Sequence, residues 1–281
     1  MNMCSHLGKI IRLSKIFNEK TGNSLIVALD HGLFLGPIPG LTSPTETLQK
    51  IISGNPDAVV ITPGQVKSCL PSFLGKEAPS LILRLDWTNL FRNVLSPETG
   101  LETLIASVED AMRYGADAVI SFLFIGYAKD EAEAINIQNV SKIARECEKY
   151  SIPFVVESMA RGSKVKGNEI NPEYVKLHVR MAAEIGADII KTDYTGDPDS
   201  FREVVKSCNI PILIAGGSKM ETPFDVLKMG RDAIDAGARG VVFGRNVFQS
   251  SNVTAMVKAL RLIVHENAKV EDALEILKKK V

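Results

Sequence analysis

The chain has 281 residues, 33 basic and 33 acidic side chains, 45% apolar content and a mean hydropathy of +0.08. Zero net charge and a pI near 6.9 leave no electrostatic footprint for nucleic acid or an anionic membrane. No apolar run reaches the ~18 residues of a membrane span, and the opening MNMCSHLGKIIR lacks a signal-peptide core, so a cytoplasmic protein is expected.

Residues 1–24 precede the first strand, and Ile10, Leu13, Ile16 and Phe17 have the spacing of a helix that would cap the floor of the fold. Eight short runs then follow, apolar almost throughout as in parallel strands buried on both faces. They are Leu25–Leu29, Ala58–Ile61, Leu81–Leu85, Ala118–Phe122, Phe154–Val156, Asp188–Lys191, Ile210–Ala215 and Gly240–Phe243. The segments between them have room for one helix each. Leu101, Leu104, Ile105, Val108 and Met112 predict a helix ended by Gly115, and Thr222-Pro223 predicts an N-cap with proline at the first helical position. YGADAVI, IGADIIK and AGARGVVF repeat one joint: a helix end, glycine, alanine, then a buried strand. This order predicts an α/β fold, a single (β/α)8 TIM barrel over residues 25–281, with the open doubly wound sheet as the alternative. Residues 253–281 predict one or two amphipathic helices, an eighth outer helix or an oligomer contact.

Chemistry in such a barrel belongs at the C-terminal strand ends. There the sequence offers Asp30-His31, Thr62, Arg84 and Asp86, Gly126-Tyr127, Glu157, Lys191, Gly216-Gly217-Ser218 and Gly244-Arg245. Lys191 closes an apolar strand, where burial favours a neutral amine able to attack a carbonyl; the plainer reading is a lysine paired with a carboxylate or reaching solvent. Strand alternation sends Asp30 inward with Ile26 and Ala28 and sets His31 on the other face. His31 therefore reads equally well as a catalytic neighbour or a loop residue bonding backbone. Gly-Gly-Ser at 216–218 and Gly-Arg-Asn at 244–246 end two successive strands, as in the common barrel phosphate site; the plainer reading is two tight turns. The cysteines (Cys4, Cys69, Cys147, Cys208) and histidines (His6, His31, His178, His265) are scattered, with no CxxC, HxH or HExxH, so neither a disulfide framework nor a metal site is expected.

The phrases RLSKIFNEKTG, VALDHGLFLGPIPGL, IIKTDYTGD, IPILIAGGSK, GVVFGRNVFQ and IVHEN resemble the archaeal-type class I fructose-bisphosphate aldolases. Their relatives include the aminodideoxyheptulosonate synthases and the phospho-autoinducer-2 thiolase. The resemblance covers roughly residues 10–270. It implies a barrel without metal or cofactor, a Schiff base on Lys191, an active-site Asp30, and phosphate contacts from Gly216, Gly217, Ser218, Gly244 and Arg245. It also implies a homo-oligomer, pentamer or decamer. One motif departs. Where these aldolases carry a Trp-x-Tyr-Pro-Arg-Gly-like phrase with an acid/base tyrosine, this chain has Glu157-Ser158-Met159-Ala160-Arg161-Gly162. Met159 cannot transfer a proton, and the thiolase relative also lacks the tyrosine. Alternation would let Glu157 face the cavity beside the sixth strand and Lys191, and with a carboxyl raised toward neutrality it, or Tyr127 on the following loop, would have to replace the tyrosine; the plain alternative is Glu157 bonded to Arg161 or Lys164. The expected activity is a metal-independent class I aldolase acting on a phosphorylated keto-sugar. Coenzyme A enters only for a thiolase-like acyl transfer. A heptulosonate-type transaldol synthase and a silent phosphosugar-binding barrel are the remaining readings.

Overall fold

The computed structural model describes residues 4–92, 94–97 and 100–278, and the side chains of Cys4 and His6 lie outside what is described. Its frame is a closed parallel barrel, β1 (Ser24–Ala28), β2 (Ala58–Ile61), β3 (Ser80–Arg84), β4 (Ala118–Ile125), β5 (Phe154–Ala160), β6 (Ile189–Thr192), β7 (Ile212–Ala215) and β8 (Gly240–Phe243). Strand β8 pairs with β1 over Ser24↔Gly240 to Val27↔Phe243, which closes the ring and excludes the open sheet. Alternation along each strand divides the core. Ile26, Ala28, Val60, Ile82, Ile120 and Val155 fill the barrel, while Leu25, Val27, Val59, Leu83 and Val119 pack outward under the helices. The helix Cys4–Ile16 brings a buried Ile16, with Leu13 and Phe17, against the inner set; Ile10 faces away and is exposed.

Strands β4 and β5 run past the ends that composition predicts, pairing from Val119↔Phe154 to Ile125↔Ala160. The extension carries Met159 to the mouth, beside Phe122. Another difference lies between β3 and β4. Glu102–Leu104 is not helical; it pairs antiparallel with Asp86–Thr88, and the helix starts only at Val108 behind a Ser107–Asp110 capping box. Leu101 and Ile105 are exposed, so the apparent apolar stripe is a coincidence of spacing. The chain ends in two described helices. Val253–His265 lies beside Pro44–Ile52 and Pro223–Asp235 and completes the outer ring, and Val270–Lys278 packs on it. Among the described residues no helix is long and apolar enough to cross a membrane, and Cys69, Cys147 and Cys208 are unbridged.

Candidate active site

A cleft of about 510 Å³ opens at the C-terminal mouth of the barrel. Of the sequence candidates, Asp30, His31, Glu157, Lys191, Gly216, Gly217, Ser218, Gly244 and Arg245 all line it. Strand β1 ends at Ala28, so the chain turns before alternation can separate the first two, and both face the cleft. Tyr127 is not among the lining residues. It is buried beside Phe124, and burial, with Glu102, Asp86 and Glu133 near it, raises its phenol pKa. Thr62 caps the helix Pro63–Ser68 and also stays outside the cleft.

The centre of the charge network is a residue that sequence reasoning noted but did not assign. Arg84, inward on β3 after Ile82, is buried with its guanidinium 3.9 Å from the centre of the Phe122 ring. It donates to Asp30 Oδ2 at 2.8 Å, to Asp86 Oδ1 at 3.2 Å and to Glu157 Oε2. The other Glu157 oxygen lies 2.6 Å from Lys191 Nζ, because β5 and β6 pair Glu157 directly with Lys191. Glu157 is thus not bonded to Arg161 or Lys164, which pair with Asp193 and Asp130. Nor is its carboxyl raised toward neutrality. Burial would raise it, but Lys191 and Arg84 together hold it below the ordinary glutamate range. Burial opposes ionisation of Asp30 too, and Arg84 with His31 and Lys191 overcomes it, leaving a carboxylate. The signal for Arg84 was available: an arginine two residues beyond an inward isoleucine must point into the barrel and needs buried acceptors there.

The opposite wall is formed by the β7 and β8 loops. Asn246 donates to the carbonyls of Gly216 (2.7 Å) and Ser218 (3.1 Å) and accepts from Met220 N, tying the β7 loop to the β8 loop. A side chain at Gly244 would meet His31 at 2.2 Å and the Ala28 carbonyl at 2.9 Å, so glycine lets the β8 loop close against the end of β1. Arg245 follows, its Nε buried without an acceptor among the described residues. Burial, and then the neighbouring Arg161 charge, lower its pKa, and a bound anion would relieve both. His31 lies edge-on to Phe248 at 5.2 Å, with its Nδ1 at 3.5 Å from Asp30 Oδ1.

A sequence profile of DeoC/LacD family aldolases matches residues 24–250. The chain belongs to this family. An uncharacterized aldolase of Saccharolobus solfataricus is 41% identical over 97% of this chain and 100% of its own length. The 3-hydroxy-5-phosphonooxypentane-2,4-dione thiolase of Escherichia coli is 36% identical over 94% of this chain and 85% of the relative. Among solved structures, an archaeal fructose-1,6-bisphosphate aldolase with its catalytic lysine covalently bound to the carbinolamine intermediate superposes with a TM-score of 0.80, at 32% identity over 91% of this chain and 99% of that one. The family and these neighbours support an enzyme with aldolase-type chemistry on a (β/α)8 barrel.

Proposed function

We propose that this protein is a metal-independent class I aldolase that cleaves or forms a C–C bond in a phosphorylated keto-sugar through an imine on Lys191. The observation that carries this reading is the pairing of a buried lysine with a carboxylate 2.6 Å away, in one cleft with an anion cradle. The Lys191 ammonium first passes one proton to Glu157. The neutral Nζ then adds to the keto carbon, and the nitrogen's second proton moves to the carbonyl oxygen, giving the carbinolamine. Glu157 returns its proton to that hydroxyl, which leaves as water, and the iminium remains. A base takes the proton from the hydroxyl on the far carbon of the breaking bond, that carbon leaves as an aldehyde, and the bonding pair forms the enamine double bond while the iminium pair returns to nitrogen. Asp30, held ionised beside Arg84, is the base within the network. Protonation of the enamine carbon and addition of water free the second product and restore Lys191. Glu157 so carries the proton that Met159 cannot, and Arg84 keeps its carboxylate in place. The glycine amides, Ser218 and Arg245 hold the phosphate.

Borohydride with a phosphorylated ketone donor should trap an adduct on Lys191, and Lys191→Met should abolish it with the fold intact by circular dichroism. An adduct on another lysine would refute the assignment. Met159 in place of the aldolase tyrosine, together with the 36% identity to a thiolase, favours one second reading: acyl transfer from a phosphorylated diketone to coenzyme A. Acetyl-CoA formed from such a substrate would decide for it.

A further inference from the structure

The walls on either side of Lys191 are chemically unlike. Toward β7 and β8 lie backbone amides, Ser218 and Arg245. Toward β4 and β5 the cleft is lined by Phe34, Leu90, Phe91, Phe122 and Met159. Phe34, Phe91 and Phe122 meet edge-on or tilted with ring centres 5.3–6.2 Å apart, a continuous aromatic surface. Leu90 and Phe91 are only half-buried, so they hold apolar area that a ligand can cover. The cations on this side are already matched. Arg84 is shared by Asp30, Asp86 and Glu157, and Arg161 is paired with Asp193 at 2.8 Å, with Glu169 beside it on the same wall. A second phosphate placed here would meet carboxylates and ring faces, and the two cations that line this side of the cleft, Arg84 and Arg161, already have carboxylate partners.

We infer that the aldehyde half of the substrate is apolar and carries no phosphate. The preferred class is then a ketose 1-phosphate ending in a deoxy, alkyl or aryl group, not a bisphosphate. The inference rests on the imine reading above and narrows its substrate. With C2 on Lys191 and the C1 phosphate in the β7–β8 cradle, the carbon beyond the breaking C3–C4 bond points across to Phe122 and Met159. Contact there removes apolar surface from water on both partners, whereas a charged tail would strip its hydration for no partner.

The test runs the full chain in the condensation direction, with dihydroxyacetone phosphate as donor and propionaldehyde, phenylacetaldehyde or glyceraldehyde 3-phosphate as acceptor. The apolar acceptors should exceed the phosphorylated one in kcat/KM by at least about tenfold. Borohydride trapping of the donor alone is the parallel measurement, since it reports the imine without any acceptor. Trapping on Lys191 with a preference for glyceraldehyde 3-phosphate overturns this inference and leaves the imine reading standing. Absence of trapping overturns both. Phe91→Ser and Met159→Gln should each lower kcat/KM for phenylacetaldehyde roughly tenfold with the donor adduct unchanged. Unaltered acceptor selectivity in both variants would also overturn it.

Discussion

Arg84 and Glu157 between them keep a lysine paired inside the barrel and, in the proposed mechanism, let it be discharged. A buried ammonium without a partner is costly, and a buried pair that loses one member costs ~3–5 kcal/mol. Here Glu157 serves two cations at once, so passing a proton from Lys191 to Glu157 leaves Arg84 beside a neutral carboxyl, with Asp30 and Asp86 still compensating its charge. Glu157→Gln keeps an acceptor for either cation but cannot take the proton. Turnover should fall by about 10²–10⁴-fold, while borohydride still traps some iminium on Lys191. Turnover within twofold or so of the parent enzyme would move the proton carrier elsewhere, to Asp30 or to solvent. Lys191, Asp30 and the glycine loops were legible because strand ends and alternation place them. The place of Glu157 beside β6 and Lys191 was legible too, from alternation; its bond to Arg84 was not, because that arginine reaches it from β3, two strands away.

At the scale of elements, the β7 and β8 loops act as one unit because a single side chain joins them. Asn246 is fully buried, satisfies two carbonyls of the Gly-Gly-Ser turn and takes the Met220 amide. Asn246→Ala leaves those groups unpaired and lets the cradle spread. In the proposed reading the lost geometry holds phosphate and not the reacting carbon, so KM for a phosphorylated donor should rise about tenfold, with a smaller change in kcat. An unchanged KM would show that the loops keep their shape without the asparagine. Elements with a local cause were readable in advance. Gly115, Gly186 and Gly237, the glycines of the three repeated joints, all adopt the left-handed backbone that ends a helix before a strand. The Asp86–Thr88 and Glu102–Leu104 ribbon was hidden because its pairing is non-local and its residues mimic helical spacing.

Across the whole molecule, that ribbon carries a charge balance that ties stability to pH. Glu102 is buried against Asp86; its Oε2 accepts from Asn136 and Asn139, and its Oε1 has no donor among the described residues. Burial and then the Asp86 charge push its carboxyl up to about 8. Asp86 meanwhile accepts from Arg84, Ser121 and the Phe122 amide, so the proton of the pair belongs on Glu102. In the unfolded chain a glutamate titrates near 4.3, so between that pH and about 8 the folded protein binds more protons than the unfolded one. Stability from this group is therefore complete below about pH 4.3 and declines as pH rises through about 8. Glu102→Gln fixes the neutral form: its carbonyl can accept from the two asparagines and its amide can donate to Asp86. Urea unfolding of both proteins at pH 5, 7 and 9 should show the variant gaining on the parent at each step. Relative to acid pH, the difference should be on the order of 5 kcal/mol at pH 9. Parallel pH dependences in the two proteins would mean that Glu102 is ionised in the fold and that the Asp86 site tolerates two adjacent carboxylates.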